Sequence, residues 1–269
     1  MAKVLEIRKK KFQINFKHRY VIFHFRDVHF NKEGGERLIM QDENFNYRHE
    51  LKYLVSNFQI KIIQARIKNL MPLDSHGAYN VRSLYFDDYF HTCYYENENG
   101  YDHREKFRIR IYNALSDFIN LELKRKDYGK TSKQSCVLNF EQAKILIDSQ
   151  QPVIEKNEQN SEVLKRLCVA MASRLMRPSV IVDYDREPYV YKNGNVRITF
   201  DMNISSSRAF KNFFERDIPK RPILPTGMNL LEVKFDEYLP DVIYRSLQLS
   251  TLQQIAFSKF YLCEKYNLS

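Results

Sequence analysis

HREKFRIRIYNALSDFINLELKRK, residues 103–126, decides how the rest of the chain is read. In its first half Phe107, Ile109 and Ile111 fall on one side of a period-two pattern and Lys106, Arg108 and Arg110 on the other. Such alternation marks a β-strand with two unlike faces. After a polar connection expected over Asn113 to Asp117 the pattern resumes, with Ile119, Leu121 and Leu123 opposite Glu122, Lys124 and Lys126. The stretch therefore predicts a β-hairpin with one apolar and one cationic face. Sheet faces in water usually mix signs, because like charges set directly opposite each other destabilise the pair. This face carries five Lys or Arg against one Glu, and it calls for an anionic partner.

Working outward, the other segments repeat the design. Arg48, Glu50 and Lys52 alternate with His49, Leu51 and Tyr53; Arg197, Thr199 and Asp201 alternate with Val196, Ile198 and Phe200; Glu232 and Lys234 alternate with Leu231, Val233 and Phe235. Further strands are expected over Val81 to Tyr89 and Ser179 to Glu187, the latter with Val180, Val182, Tyr184 and Arg186 on one side. Tyr128 to Ser135 reads as a polar loop or strand edge carrying Lys130 and Lys133. Ser56 is placed to cap a helix through Leu70, Asn139 one from Phe140 to Ser149, and Ser161 one reaching Met176 before Pro178. A polar linker is expected over Gln150 to Asn160, and a long amphipathic helix over Asp241 to Tyr266. Left open, such a sheet would solvate its charged face. Closed into a barrel, it would turn the charges inward and need helices to cover the outside. The expected class is α+β, a closed antiparallel barrel with helices packed around it.

Composition narrows the chemistry. The chain has 269 residues and a net charge of +10, with 43% hydrophobic and 28% charged residues, the profile of an ordinary globular protein. Ten Lys or Arg and four acids fall within residues 1–39, so the remaining body is only mildly basic and a general nucleic-acid coat is not required. Seven glycines and the lack of GxxxxGK[ST] or GxGxxG argue against P-loop and dinucleotide folds. Cys93, Cys136, Cys168 and Cys263 form no CxxC pair and are read as reduced thiols of a cytoplasmic protein. No apolar run reaches transmembrane length, so any membrane anchor would come from a partner chain. Residues 1–39 are read apart from the domain at 40–269. They form either a basic arm or sequence upstream of the true start, since Lys32-Glu33-Gly34-Gly35 fits a purine-rich tract a few codons before Met40. An intact N-terminus at Met1 in natively expressed protein would exclude the second reading.

The ordered set RHELKY, SLYFDD, KFRIRIY, LELKRK, DYDRE, VRITFD, LEVKF and SKFYLC resembles a VTC domain, the polyphosphate-polymerase branch of the CYTH-like triphosphate tunnel metalloenzymes, over roughly Tyr47 to Cys263. The resemblance implies an eight-stranded antiparallel barrel whose basic tunnel grips ATP and a growing polyphosphate with Mn²⁺ or Mg²⁺. It implies Lys52, Arg108, Arg110, Lys124, Lys133, Tyr184, Arg186, Arg197, Lys234, Ser258 and Lys259 as phosphate-handling positions. Glu232 is implied as metal ligand, with Glu50 and Glu122 as further candidates or as counter-ions of buried lysines. Arg104, Lys106 and Lys126 join the substrate-binding set from the hairpin's charged face. Arginines suit bidentate phosphate contacts and lysines act as point charges. Two departures stand out. Arg48 replaces the first Glu of the ExExK that opens the hydrolytic members, which favours the polymerase branch. Glu96 to Asn99, ENEN, is acidic where the family more often offers a base. The same tunnel would also serve a metal-dependent tripolyphosphatase, a nucleoside triphosphatase, or a non-catalytic polyphosphate-binding module. Nucleic acid is disfavoured, because the aromatics do not alternate with basic residues as a stacking platform would.

Overall fold

The computed structural model describes residues 48–152, 161–249 and 252–268, together with the backbone of two short N-terminal strands. The chain divides into two units, Met1–Asp42 and Glu43–Ser269. Within the first, β1 (Ile14–Phe16) and β2 (Arg19–Val21) pair antiparallel. The start-site reading and Tyr47 lie outside the described residues, as does most of the expected 150–160 linker.

The second unit is built on one antiparallel sheet. Its strands are β3 (His49–Ser56), β4 (Tyr79–Asp87), β5 (Arg104–Tyr112), β6 (Leu115–Asp127), β7 (Lys130–Leu138), β8 (Arg177–Tyr191), β9 (Val196–Ser207) and β11 (Met228–Phe235). Their order is β3-β11-β9-β8-β4-β5-β6-β7, and the two-residue β10 (Arg221–Pro222) pairs with β9. The sheet curls until its edges meet, but β3 and β7 share a single bridge, Arg48 with Thr131. The expected closed barrel is therefore a curled half-barrel without a closing ladder. Part of the outer edge of β3 is taken instead by the segment around Gln254, where Ile255 N–H donates to the Lys52 carbonyl at 2.9 Å. That crossing breaks the helix expected over 241–266 into α5 (Asp241–Leu247) and α6 (Lys259–Leu268). Satisfying edge carbonyls outweighs helical periodicity here.

Other boundaries shift for local reasons. The 113–117 connection is a two-residue turn, Asn113 (φ 52°) and Ala114 (φ 55°), so β6 begins at Leu115. Tyr128 to Ser135 includes the start of the edge strand β7. Helix α1 (Asn57–Ile67) starts at its predicted cap, where Ser56 and Gln59 form a reciprocal capping box. A second box, Asn139 with Gln142, opens α3 (Phe140–Lys144), which runs into a π-helical turn, Ile145–Ser149. Helix α4 (Glu162–Ser173) ends three residues earlier than expected, and α2 (Thr92–Glu98) is an element the sequence pattern did not announce.

Alternation sorts the strands' side chains as predicted. On the outer face Leu231, Val233, Ile198 and Phe200 pack under Ile60, Ile63 and Ile67 of α1 and Ile243 of α5. Ile109, Ile111, Leu121 and Leu123 pack with Leu164, Leu167 and Met171 of α4. The inner face carries the charges, and α6 lies against β8 and β9 there, with Phe260 on the Tyr85 ring and Cys263 buried.

Candidate functional site: a cation-rich inner face around two carboxylates

The polar positions of eight strands converge because the sheet curls. Lys124 of β6 reaches Glu50 of β3 at 2.9 Å, although the two strands stand near opposite ends of the sheet order. Glu50 also accepts from Lys52 at 2.9 Å and from the Thr131 hydroxyl at 3.1 Å. One strand over, Glu232 accepts from Lys234 at 2.8 Å and from Arg186 at 3.3 Å, with Lys52 3.8 Å away. The Glu50 and Glu232 carboxyls are neighbours close enough for their charges to act on each other. Burial works to raise both their pKa values, but the surrounding ammonium groups prevail. Lys124 and Lys52 hold Glu50 at about 2, and Lys234, Lys259 and Lys52 hold Glu232 well below the usual carboxylate range.

Around this pair the predicted cations take defined places. Arg108 donates to Glu122 at 2.5 Å and to the Tyr85 hydroxyl at 2.9 Å. Arg110 donates to Ser83 Oγ at 3.0 Å and stands 3.7 Å from Glu122, while Lys133 reaches Glu122 at 2.9 Å. Glu122 is thus fully buried among three cations; burial opposes its ionisation and those cations drive its pKa far down. Arg186 grips Asp201 with two hydrogen bonds of 2.7 Å, and Lys259 completes the triad at 2.6 Å. Tyr184 lies between them, its ring 5.2 Å from the Arg186 guanidinium carbon and 5.0 Å from Lys259 Nζ. Lys106 donates to Asn97 Oδ1 at 2.7 Å and Arg104 to the Asn97 carbonyl at 3.3 Å, bringing the ENEN segment to the inner face through its amide. Lys126 stands opposite Arg104 in the register. Arg197 lies apart from the carboxylate pair, held by Asp74 at 3.0 Å and the Tyr79 hydroxyl at 3.2 Å. Ser258 accepts from the Tyr261 N–H at 3.3 Å in the manner of a helix cap, just before the residue that delivers Lys259.

Asp201, Tyr85, Ser83 and Asn97 belong to this constellation without having been singled out as site residues. Asp201 and Tyr85 fell on the polar sides of recognised strands or motifs, and the signal for Asp201 was its place two residues beyond Thr199. Asn97 had none, because α2 was not expected.

Two adjacent buried carboxylates suit a hard divalent cation, which commonly takes one or two carboxylates and fills its remaining positions with water and phosphate oxygens. Among the described residues no group of three or more His, Cys, Asp or Glu forms a self-sufficient metal cage. Glu232 and Glu50 fit the shared-ligand case. The oxygens of Glu122 are engaged by arginine and lysine, which fits a counter-ion.

The fold is thus a curled antiparallel sheet with helices packed against it and a carboxylate-bearing, cation-rich inner face. The chain belongs to the VTC domain family, whose model matches residues 47–266. No curated protein matches it. Among solved structures it is similar to a putative adenylate cyclase from Bacillus halodurans (15% identity, 76% of this chain and 87% of that one, TM-score 0.46). It is also similar to a putative adenylyl cyclase from Hippeastrum described as having a dominant triphosphatase activity (12% identity, 81% and 96%, TM-score 0.48). A third is the Mimivirus capping enzyme triphosphatase (14% identity, 71% and 80%, TM-score 0.33). These likenesses are too distant to speak for activity.

Proposed function

We propose that this protein is an ATP-dependent polyphosphate polymerase that moves the γ-phosphoryl group of ATP onto a polyphosphate chain held in a basic tunnel. The carrying observation is the convergence of Arg108, Arg110, Lys124, Lys52, Arg186, Lys234 and Lys259 on one face around the Glu50–Glu232 pair. Phosphoryl transfer asks little covalent chemistry of a protein; positioning and charge neutralisation supply most of the catalysis. A terminal oxygen of the chain attacks the γ-phosphorus, the bond to the β-bridging oxygen breaks, and ADP leaves with that electron pair. Arg108 and Arg110 hold non-bridging oxygens, with Glu122 and Ser83 fixing their guanidinium groups. Lys259 and Arg186, steadied by Asp201, neutralise charge on the leaving side, and Tyr184 orients both. Mn²⁺ or Mg²⁺ on Glu232 and Glu50 would supply Lewis-acid charge at the phosphate oxygens.

The proximity of two carboxylates favours a second reading, a metal-dependent tripolyphosphatase in which water replaces the chain. Incubation of the full chain with ATP or tripolyphosphate and Mn²⁺, resolved by gel and ³¹P NMR, separates them. A ladder of chains with stoichiometric ADP supports the polymerase. Orthophosphate without chains supports the hydrolase, and binding without turnover leaves a polyphosphate-binding module. The four cysteines are free, and among the described residues no helix is long and apolar enough to cross a membrane. We place the activity in the cytoplasm.

A further inference from the structure

Two lysine amines on the inner face stand in different company. Lys234 lies 2.8 Å from the Glu232 carboxylate, which works to keep it charged. Among the described residues no carboxylate stands within ion-pair distance of Lys106. Lys106 donates to the neutral Asn97 Oδ1 at 2.7 Å, and its Nζ lies 4.5 Å from the centroid of the Phe260 ring. The register sets it directly opposite Lys124, with Arg104 two residues back on the same face. Cys93 of α2 and Lys52 of β3 also face it. Burial and the neighbouring Asp87 push the Cys93 thiol well up, so it brings no negative charge. An apolar ring on one side and cations on the others disfavour one more ammonium group. Burial, with Arg104, Lys124 and Lys52 nearby, brings the Lys106 amine down to about 7. An uncharged lysine amine is a nucleophile, and desolvation beside other cations is one way a protein makes one. The transfer proposed above makes no use of that lone pair. The same neighbours select its electrophile. Arg104, Lys124 and, opposite Arg104, Lys126 draw an anionic carbonyl compound and repel a cationic one.

We propose that Lys106 is a covalent modification site whose amine forms a reversible imine with small aldehydes that carry a phosphate group. Arg104 and Lys126 hold the phosphate while Nζ attacks the carbonyl carbon. The nitrogen lone pair makes the C–N bond, both amine hydrogens pass to the carbonyl oxygen, and that oxygen leaves as water. No oxidant or reductant is consumed, and hydrolysis reverses the step. The adduct fills the inner face beside Lys124, the partner of Glu50, and so shuts out the phosphate chain. The assignment rests on reading the inner face as a phosphate site, and adds to it a second class of ligand and a covalent switch.

The probe is pyridoxal 5′-phosphate added to the full chain, followed by imine absorbance, borohydride trapping and peptide mass mapping. Lys106 should be trapped at least about tenfold faster than the exposed Lys61 and Lys165, since ordinary lysines, at about 10.4, stay protonated at neutral pH. Its initial rate should be half-maximal near pH 7. Pyridoxal, which lacks the phosphate, should react there at least about tenfold more slowly, and tripolyphosphate should protect the site. Lys106→Arg should abolish the fast adduct. If that variant does not fold, Lys124→Gln should move the half-maximal pH of trapping upward, because a cation that depresses the amine is gone. Trapping at Lys106 no faster than at Lys61, trapping chiefly at Lys234, or equal rates with pyridoxal and its phosphate overturn the assignment. Calorimetric titration with tripolyphosphate, run alongside, separates the two readings. Tripolyphosphate binding without a selective adduct overturns the modification site and leaves the phosphate-binding reading standing. Neither binding nor adduct overturns both.

Discussion

The two faces of the same strands treat charge in opposite ways. On the outer face, directly opposed charged residues are of opposite sign: Arg82 of β4 faces Asp183 of β8, and Glu105 of β5 faces Arg125 of β6. Arg82 is 2% exposed, bonds Asp183 at 2.8 Å, and spends its remaining donors on the carbonyls of Phe213, Glu215 and Arg216. Lys220 closes on the same aspartate. On the inner face, one residue along, Arg104 faces Lys126 and Lys106 faces Lys124. The outer cations are saturated by their own protein and hold the 213–220 loop to the sheet. Among the described residues the inner Arg104, Lys106 and Lys126 have no carboxylate within ion-pair distance, a surplus of positive charge that an anionic ligand would offset.

Breaking the outer pair should therefore produce the largest effect, and it should be on stability. Arg82→Ala leaves the buried Asp183 carboxylate with Lys220 and the neutral Asn80 amide and is expected to cost about 3–5 kcal/mol, the usual penalty for removing one partner of a buried ion pair. Urea denaturation of wild type and variant measures it. A loss within error of zero would mean that the outer face, too, is not organised by its ion pairs.

On the inner face the sign of the effect should differ between binding and turnover. Glu232→Gln removes a negative charge from the phosphate site, so affinity for tripolyphosphate without metal should stay equal or rise. Turnover with Mn²⁺ should fall on the order of a hundredfold or more, the scale seen when a preorganised electrostatic group is lost. Single-turnover assays beside titrations read the two quantities separately. Loss of binding in step with turnover would make Glu232 a structural counter-ion of Lys234 and Arg186.

The surplus also predicts how stability follows pH. Burial lowers the Lys106 amine to about 7 and that of Lys234 to about 8. Both therefore release protons in the folded protein at a pH where the unfolded chain, with lysines near 10.4, still holds them. Where the unfolded state binds more protons, stability rises with pH, so the ligand-free protein should gain stability as pH climbs from about 7 toward 10. Affinity for polyphosphate should run the other way, falling over the same window as the two lysines lose charge. Thermal melts with and without polyphosphate across that range read both trends. In acid the slope has the same sign for Glu50, depressed to about 2: its contribution is present above the ordinary carboxylate range and is lost as pH falls toward that value.

How far the sequence revealed this depended on whether a signal was local. Period-two alternation placed Arg108, Lys124, Glu232 and Lys234 on the polar sides of their strands, and capping residues located α1 and α3, because these properties belong to adjacent residues. What escaped notice depended on distant contacts. The crossing at Gln254 that divides α5 from α6 exists only because β3 offers an edge. Incomplete closure depends on how far β3 and β7 overlap, a quantity no strand carries alone. Asp201 was visible as a polar strand residue, but its role needs Arg186 and Lys259 brought to it.

The turn between β5 and β6 was missed for a different reason, and it yields the smallest and cleanest prediction. A two-residue hairpin turn with positive φ at both positions is written most often as Asn-Gly, because glycine alone adopts the left-handed region without Cβ crowding. Here the second position is Ala114, at φ 55°, so the pair reads as the start of an ordinary polar loop. Ala114→Gly should relieve the crowding and stabilise the protein by about 1 kcal/mol, less whatever glycine's extra freedom in the unfolded chain takes back. The turn fixes the register that sends Arg108 and Glu122 inward and Phe107 and Leu123 outward, yet Ala114 itself carries no charge on either face. The variant should therefore raise the urea midpoint while leaving chain affinity and its pH dependence unchanged. A shift in affinity would show that the like-charge register is itself strained and slips when the turn is altered.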